Sequence, residues 1–162
     1  MAKKSEQTFR LSYPADVVLK VLTNDEFLVA NFKQQDNPAA VVRERSRTDT
    51  KLVLECEVTE YSKGMTGVDR SRTEVTQTVY EWDLKARRSS WTYDSPHGNR
   101  IKVWGQTRIE EAGSGCVVHE EFNCDVKIPL VGGKVEKIVL KEVDKYWPLY
   151  EKLLKEWASK LA

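Results

Sequence analysis

Alternation of apolar and polar residues predicts seven β-strands along this chain. The first strand lies at residues 6–12, and six further alternating runs follow after Pro38. In order they read AAVVRERSRT, KLVLECEVTEY, TQTVYEWDL, RSSWTYD, RIKVWGQTRIEEA and CVVHEEFNCDVKI. A period of two indicates strands with one buried face. Turn-like segments separate the runs, with a Gly-, Ser- and Arg-rich loop predicted at residues 62–75, so we expect an antiparallel meander.

A period of three to four predicts helices on either side of the six strands. After residues 13–16 turn the chain, VVLKVLT forms a short helix with Pro14 near its first turn. Asn24 is a suitable cap for a second helix, DEFLVANFKQQ. From about residue 133 to residue 161, apolar residues recur every three or four positions, which predicts one long amphipathic helix packed on the sheet. Pro148 lies within it and predicts a kink or break.

The loops between the last four strands set which side chains share a face. We expect a two-residue turn at residues 86–87, a five-residue loop at residues 95–99 and a four-residue loop at residues 112–115. The first of these turns pairs Trp82 with Trp91. All three loops agree on one inner face, which consists of Tyr80, Trp82, Trp91, Tyr93, Ile101, Val103, Ile109, Val118, Phe122 and Cys124.

Length and charge narrow the class of protein. The chain has 162 residues, and its 26 Lys and Arg nearly balance its 25 Asp and Glu. Because the basic residues are scattered along the sequence, neither nucleic acid nor an anionic membrane is indicated as a partner. No window approaches the roughly 18 apolar residues that a membrane span needs. We therefore expect one cytoplasmic domain, without an integral membrane segment, over residues 1–162.

The cysteines and histidines do not form a recognisable site. Cys56, Cys116 and Cys124 lack C-x-x-C spacing and are predicted to be core thiols, so neither a disulfide framework nor a zinc site is indicated. His97 lies in a Pro-His-Gly-Asn loop, and His119 falls on the outward face of its strand. We interpret both histidines as solvated, and no residue pattern in the chain requires a metal or other cofactor.

The segment VKIPLVGGKVEK raises the question of a phosphate-binding loop. The pattern G-x-x-x-x-G-K-[ST] fails twice, because Ile128 occupies the position of its first glycine and Val135 follows Lys134. We interpret Gly132 and Gly133 instead as residues that supply unusual dihedral angles for a strand-to-helix reversal.

The order of one strand, two short helices, six strands and one long helix resembles the helix-grip fold of the START-like, or SRPBCC, superfamily. The segments FRLSYPADVV at 9–18, DEF at 25–27 and VKIPLVGGKVE at 126–136 more narrowly resemble an uncharacterised bacterial family of that superfamily. The resemblance implies an α+β fold in which a curved seven-stranded antiparallel sheet grips the C-terminal helix. It also implies a cavity between sheet and helix, which in relatives takes a lipid, sterol, polyketide or other apolar molecule.

We therefore expect a START-like domain that binds or transports a small hydrophobic or amphipathic ligand. Affinity would come from removing apolar surface from water, while one or two polar groups orient the ligand. No catalytic residue is assigned. The candidate ligand-binding residues are Phe27, Leu54, Cys56, Tyr80, Trp82, Trp91, Tyr93, Val103, Glu120, Phe122, Val139, Val143, Tyr146 and Tyr150.

Several of these residues have a second interpretation. The block of two tyrosines and two tryptophans at positions 80–93 suits a pocket wall or a plain core. Glu120 points inward across from Thr107, either as a general acid or base or as a satisfied polar group. With Tyr80 or Tyr93, it is the set that a cyclase or dehydratase type of enzyme would use.

A protein-interaction module is a further alternative, and it would use the outer face of the sheet or the helix. Trp104, which the register places on that outer face, is then an exposed aromatic anchor.

The sequence does not decide whether a row of three arginines points into the fold or into solvent. Arg43, Arg45 and Arg47 alternate along the second strand. A turn of even length at residues 49–50 points them inward, where they can pair with an anionic ligand head group. A turn of odd length leaves them in water.

Overall fold

In a computed structural model, which describes residues 2–64 and 67–162, the chain forms one seven-stranded sheet and three α-helices. The elements are β1 (Lys3–Leu11), α1 (Ala15–Leu22), α2 (Asp25–Gln34), β2 (Ala39–Arg47), β3 (Lys51–Gly64), β4 (Gly67–Asp83), β5 (Arg88–Asp94), a single 3-10 turn (Gly98–Arg100), β6 (Ile101–Ala112), β7 (Gly115–Val126) and α3 (Gly132–Leu161). The strand order is β1-β7-β6-β5-β4-β3-β2, and every neighbouring pair is antiparallel. The predicted α+β architecture with a curved sheet and a long C-terminal helix is confirmed.

The two short helices begin where the sequence predicts. The backbone N–H groups of Val17 and Val18 donate to the carbonyl of Pro14, at 3.0 and 3.2 Å. The Asn24 side chain accepts a hydrogen bond of 3.0 Å from the N–H of Phe27, so its predicted role as a helix cap is confirmed.

The hairpin of β3 and β4 is longer than predicted. Residues 62–64 and 67–75 are strand, not loop, and Lys63 pairs with Val68. Met65 and Thr66, which belong to the predicted loop, lie outside the described residues. The prediction was wrong because this part of the hairpin is mostly polar and exposed, and backbone pairing holds it without a buried face.

Two of the three predicted registers are wrong by two residues. Trp91 pairs with Tyr80 instead of Trp82, and on its other side with Gly105. The loop after β4 has four residues, because the Asp83 side chain accepts the N–H groups of Lys85 and Ala86 at 3.1 and 3.0 Å. A shift of two residues keeps every side chain on its face, so the predicted inner face is confirmed.

The register between β6 and β7 is as predicted, with Gly105 opposite Phe122. It holds although the hairpin loop there contains only the two residues 113–114. Glu120 lies opposite Thr107, as expected.

The concave face of the sheet can now be defined by its inward side chains on β3 to β7. They form cross-strand rows, of which one reads Leu54, Tyr80, Trp91, Gly105 and Phe122. The full set is Leu52, Leu54, Cys56, Val58, Glu60, Glu74, Thr76, Thr78, Tyr80, Trp82, Ser89, Trp91, Tyr93, Ile101, Val103, Gly105, Thr107, Ile109, Glu111, Cys116, Val118, Glu120, Phe122, Cys124 and Val126.

Helix α3 lies against β1, β7, α1 and α2. Near its middle, the indole N–H of Trp147 donates to the Ser5 hydroxyl at 3.0 Å, and that hydroxyl donates to Asp144 at 2.6 Å. The helix continues through Pro148 without interruption, so of the predicted kink or break the break is absent. Proline removes only one backbone hydrogen bond, and contacts on both sides of it hold the helix to the sheet.

The junction between β7 and α3 corrects the predicted role of the glycines. The residue with a left-handed backbone is Leu130, at φ 71, and neither Gly132 nor Gly133 has a positive φ. A Cβ atom on Gly132 would instead collide with the carbonyl oxygen of Val126. Gly132 is therefore required for a close approach of backbones and not for its dihedral angles.

Two further predictions concern side-chain exposure. All three cysteines are free and buried, which confirms them as core thiols. Arg43, Arg45 and Arg47 are exposed, and Arg45 binds Glu55 at 2.7 Å on the outer surface. Arg45 lies at a β-bulge, and Ala40, Val42 and Glu44 take inward positions of β2 before it. After the bulge Arg47 lies opposite inward Leu52, where it pairs with Glu44 at 2.7 Å and remains exposed. Within the described residues, no helix has the length and apolar character needed to cross a membrane.

Candidate functional site

Trp91 lies at the centre of the concave face. Its ring centroid is 6.5 Å from that of Tyr80 and 5.7 Å from that of Phe122. A Cβ atom on Gly105 would collide with the Trp91 ring and with the Glu121 carbonyl. The missing side chain of Gly105 therefore lets the indole lie across β6. Trp91 and Phe122 remain half-buried, so this aromatic patch keeps contact with solvent.

Glu120 places a carboxyl group beside this patch. Its side chain is 7% exposed, and its two oxygens accept hydrogen bonds from the hydroxyls of Tyr150 at 2.6 Å and Thr107 at 2.7 Å. Burial raises the pKa of Glu120 to about 7, although both hydrogen bonds favour the charged form. A carboxyl group of this kind exchanges its proton near neutral pH.

Tyrosines and a cysteine surround this carboxyl group. Burial raises the pKa of Tyr80 well above 10, and the nearby Cys56 and Glu120 add to that shift. The pKa of Tyr150 is raised in the same way, by burial and then by Glu120. Burial also raises the pKa of Cys56 to about 12. These groups are therefore neutral at physiological pH, and their hydroxyls and thiol act as hydrogen-bonding groups.

Trp82 places its indole N–H on the concave face. Its indole nitrogen is buried and has no hydrogen-bond partner within the part of the chain that the structure describes. Trp82 is in the same cross-strand row as Ser89, Thr107 and Glu120. An unpaired buried donor usually has a partner in the working protein, such as a bound water or ligand group.

Glu60 is a second inward carboxylate, which the sequence interpretation missed. It accepts hydrogen bonds from the hydroxyls of Thr76 at 2.5 Å and Tyr93 at 2.8 Å. Burial, then the charge of Glu60, raises the pKa of Tyr93. The alternation of β3 was sufficient to find Glu60, because it follows Leu54, Cys56 and Val58 at steps of two.

The predicted ligand-binding residues divide into three groups. Phe27, Leu54, Cys56 and Trp82 belong to the buried core. Tyr80 and Tyr150 are partly buried and pack against that core, while Glu120 is buried beside Tyr150. The remaining residues are half-buried and lie outside the core; they are Trp91, Tyr93, Val103, Phe122, Val139, Val143 and Tyr146.

Two surface cavities lie elsewhere on the molecule. One, of about 560 Å³, is lined by residues of α1, α2 and β2 together with Leu54 and Leu161. The other, of about 600 Å³, is lined by residues 125–130 and by Gly132 and Gly133. Of the residues predicted to bind ligand, only Leu54 lines either cavity. The concave aromatic patch is thus a partly open surface beside α3, and the two cavities border the same face at Leu54 and at Val126.

The histidines lie apart from this patch. His97 is half-exposed and its ring nitrogen is 3.2 Å from Glu74, while His119 is 2.8 Å from Glu110 on the outer face. Within residues 2–64 and 67–162, no group of three His, Cys, Asp or Glu side chains is arranged to hold a metal ion.

Comparison with known families gives one match over most of the chain. A family described as "Protein of unknown function (DUF2505)" matches residues 6–158. No curated protein matches the sequence.

Solved structures of similar fold cover the chain almost completely. The protein TTHA0849 from Thermus thermophilus is 17% identical, with a TM-score of 0.65 and 98% of both chains covered. The Zhui aromatase/cyclase from a Streptomyces species is 13% identical, with a TM-score of 0.61 and coverage of 99% of this chain and 95% of that one. A START superfamily protein from Mycobacterium smegmatis is 13% identical, with a TM-score of 0.59 and coverage of 98% and 99%. Such identities establish the fold alone, and they confirm the START-like helix-grip fold.

Proposed function

We propose a function from the premise that this chain belongs to the family described as "Protein of unknown function (DUF2505)" and has a START-like fold. In this proposal, the protein binds a small apolar or amphipathic molecule beside α3. The observation that carries this proposal is the half-buried patch of Trp91, Val103 and Phe122 on the concave face. Side chains of this kind gain stability when a ligand removes their remaining surface from water, at about 25 cal/mol per Å² before ordering costs.

Helix α3 supplies the facing wall in this proposal. Val139, Val143 and Tyr146 follow one another at spacings of four and three, and all three are half-buried. They are outside the packed core, unlike Leu154 and Ala158 nearer the end of the helix. A ligand between this part of α3 and the sheet would complete the burial of both surfaces.

The charges on the concave face limit the chemistry of the ligand. Its ionisable carboxyl groups on β3 to β7 are Glu60, Glu74, Glu111 and Glu120. The inward cations lie on the flanking strands, where Lys3 of β1 is 3.8 Å from Glu136 and Arg47 of β2 is 2.7 Å from Glu44. An anionic head group beside the aromatic patch, such as a fatty acid carboxylate, would lie next to Glu120, while these two cations already face carboxylates of the chain itself. We therefore propose a neutral or cationic ligand whose hydroxyl or amine group donates to Glu120, which has acceptor positions beyond those used by Tyr150 and Thr107.

Native mass spectrometry of the protein as purified from cells tests this proposal, followed by extraction and identification of any adduct. We expect an apolar adduct that is retained by Trp104→Ala, on the outer face, and lost from Trp91→Ala. The two variants are matched because each removes one half-buried tryptophan from neighbouring strands. An apo mass in every preparation, or equal loss from both folded variants, would contradict ligand binding at this patch.

A second candidate function, proton transfer to a bound substrate, is favoured by Glu120 with its pKa near 7. One structural neighbour is an aromatase/cyclase, a class of enzyme that the sequence also suggests. Incubation of the extracted ligand with wild type and with Glu120→Gln tests this function. Conversion by wild type alone supports it, and equal conversion by both proteins removes Glu120 as the acid or base.

We also propose a cytoplasmic location. Three free, buried thiols are compatible with a reducing compartment, because none of them depends on a disulfide for its place in the core. Fractionation of cells that express the tagged protein tests the location.

A further inference from the structure

The outer face of α3 carries a line of lysines and aliphatic side chains, which we call the basic stripe. Its members recur at helical spacings of three and four, so they share one face. All of them are exposed, and they are Lys134, Lys137, Ile138, Lys141, Lys145, Leu149 and Lys152. Scattered in sequence, these lysines become one surface only when the helix forms.

Acidic residues lie at the borders of the stripe. Glu142 and Asp144 follow Lys141 in sequence but fall to either side of the helical line, and Asp144 accepts the hydrogen bond from Ser5. Glu136, within the same segment, is 1% exposed and accepts the N–H of Val126. The five lysines of the stripe therefore present a positive surface over about five helical turns.

An exposed leucine lies at the end where the stripe begins. Leu130 is fully exposed and holds a left-handed backbone, two residues before α3 starts. A leucine rarely adopts this conformation, and the side chain of Leu130 gains nothing from burial within the chain. Of the six exposed large apolar residues described, three belong to this region, namely Leu130, Ile138 and Leu149.

We propose that the basic stripe, with Leu130, docks the protein onto an anionic phospholipid surface. Helix α3 lies parallel to the bilayer, its lysines contact the headgroups, and Leu130 and Ile138 enter the boundary with the acyl chains. This proposal is independent of which ligand the concave face binds.

The composition of the stripe favours lipid over nucleic acid. Its cations are all lysine, whereas recognition of nucleic acid typically uses the bidentate guanidinium of arginine and stacking aromatic rings. Exposed leucine and isoleucine side chains have no partner on a phosphate backbone, but they partition into a bilayer interface.

Vesicle flotation with the whole protein tests the proposal. The probes are vesicles of phosphatidylcholine alone and vesicles of phosphatidylcholine and phosphatidylglycerol in a two to one ratio. We expect binding to the second kind only, with a loss of bound protein as salt is raised, because salt screens the headgroup charge. Absence of binding to the anionic vesicles at low salt would overturn the proposal.

Matched variants distinguish the effect of the basic stripe on vesicle binding from the effect of the protein's net charge. The triple variant Lys134→Gln, Lys137→Gln, Lys141→Gln should bind roughly a hundredfold less tightly, since each lysine near such a surface contributes about fivefold. A control triple variant of Lys33, Lys51 and Lys85 to Gln removes the same charge from exposed sites elsewhere and should bind like wild type. Equal loss in both triple variants, or binding of RNA instead of vesicles by the same lysines, would contradict lipid docking.

Leu130→Asn tests the apolar contact by itself. Asparagine tolerates the left-handed backbone, so folding should be retained while vesicle affinity falls roughly tenfold. A fluorophore at Ile138→Cys supplies a direct readout, because the three native cysteines are buried and the new thiol is accessible. Its emission should shift to the blue on anionic vesicles, while the same label at Ser90→Cys, on the outer face of β5, should not change. The opposite pattern, or unchanged affinity of Leu130→Asn, would exclude insertion of this region.

Discussion

Glu120 illustrates how the placement of one side chain decides its chemistry. The same residue type is exposed at Glu81 and Glu110, but at position 120 it points to the concave face beside Tyr150. Burial there disfavours the carboxylate, and two hydroxyl donors only partly offset the cost. The residue is thus suited to hydrogen bonding with a ligand and to proton exchange near neutral pH.

The raised pKa of Glu120 predicts a pH-dependent stability. Between its ordinary value of 4.5 and about 7, the folded protein holds a proton that the unfolded chain releases. The free energy of unfolding therefore falls as pH rises through this window, by about 3 kcal/mol for this group. Urea unfolding at pH 4.5 and pH 8 should show this fall in wild type and a smaller one in Glu120→Gln. An equal fall in both proteins would contradict the assignment.

At the scale of elements, the start of α3 is fixed by close contacts with the last strand. Glu136 accepts the backbone N–H of Val126 at 2.8 Å and lies 3.8 Å from the ammonium group of Lys3. Gly132 lies directly against the Val126 carbonyl, and its own N–H donates to Ile128 at 2.9 Å. These contacts connect β1, β7 and the helix at one point.

Two adjacent glycines at this junction should respond in opposite ways to alanine. Gly132→Ala brings a Cβ onto the Val126 carbonyl and should cost about 1–3 kcal/mol, as overpacking does. Gly133→Ala meets only the flexible Lys3 ammonium at 3.9 Å and should stabilise by about 0.5–1 kcal/mol. Denaturant unfolding of the two variants measures both values. Equal effects would show that the helix start can shift.

At the scale of the whole molecule, α3 is buried unevenly. Leu154 and Ala158 are fully buried among the core residues that α1 and α2 supply, whereas residues 137–146 include no fully buried side chain. Pro148 also supplies no N–H to the carbonyl of Asp144. The helix therefore buries side chains fully only at its start and near its end, and the proposed ligand wall lies between, next to the hydrogen bonds of Asp144 and Trp147 with Ser5.

Amide hydrogen exchange should follow this division. We expect residues 139–147 of α3 to exchange faster than residues 151–160, because fewer buried contacts oppose local opening there. A ligand on the concave face should slow exchange in the first segment and leave the second unchanged. Exchange measured by mass spectrometry on protein with and without its extracted ligand gives the comparison. Uniform protection along α3 would contradict it.

Much of the fold follows from the sequence alone. Strand alternation identified the inner face around Trp91 even where the register was wrong, because a shift of two residues preserves facing. The Asn24 cap and the long helix were equally predictable from the sequence, since both depend on side chains a few residues apart. The strands of the polar hairpin at residues 62–75 were not predictable, because strand pairing without a buried face leaves no alternation of apolar and polar residues.

Tertiary structure decided the contacts between distant residues. Glu120 was predicted to point inward, but Tyr150 became its partner only when α3 packed on the sheet. Gly132 proved to allow a close approach of two backbones and not an unusual dihedral angle. A bulge at Arg45 left Arg43 and Arg45 on the outer face of β2 and Arg47 opposite inward Leu52. The sequence by itself determined which residues share a face, because that depends on the period of the backbone. The structure alone determined which faces meet, because that depends on packing between segments far apart in the chain.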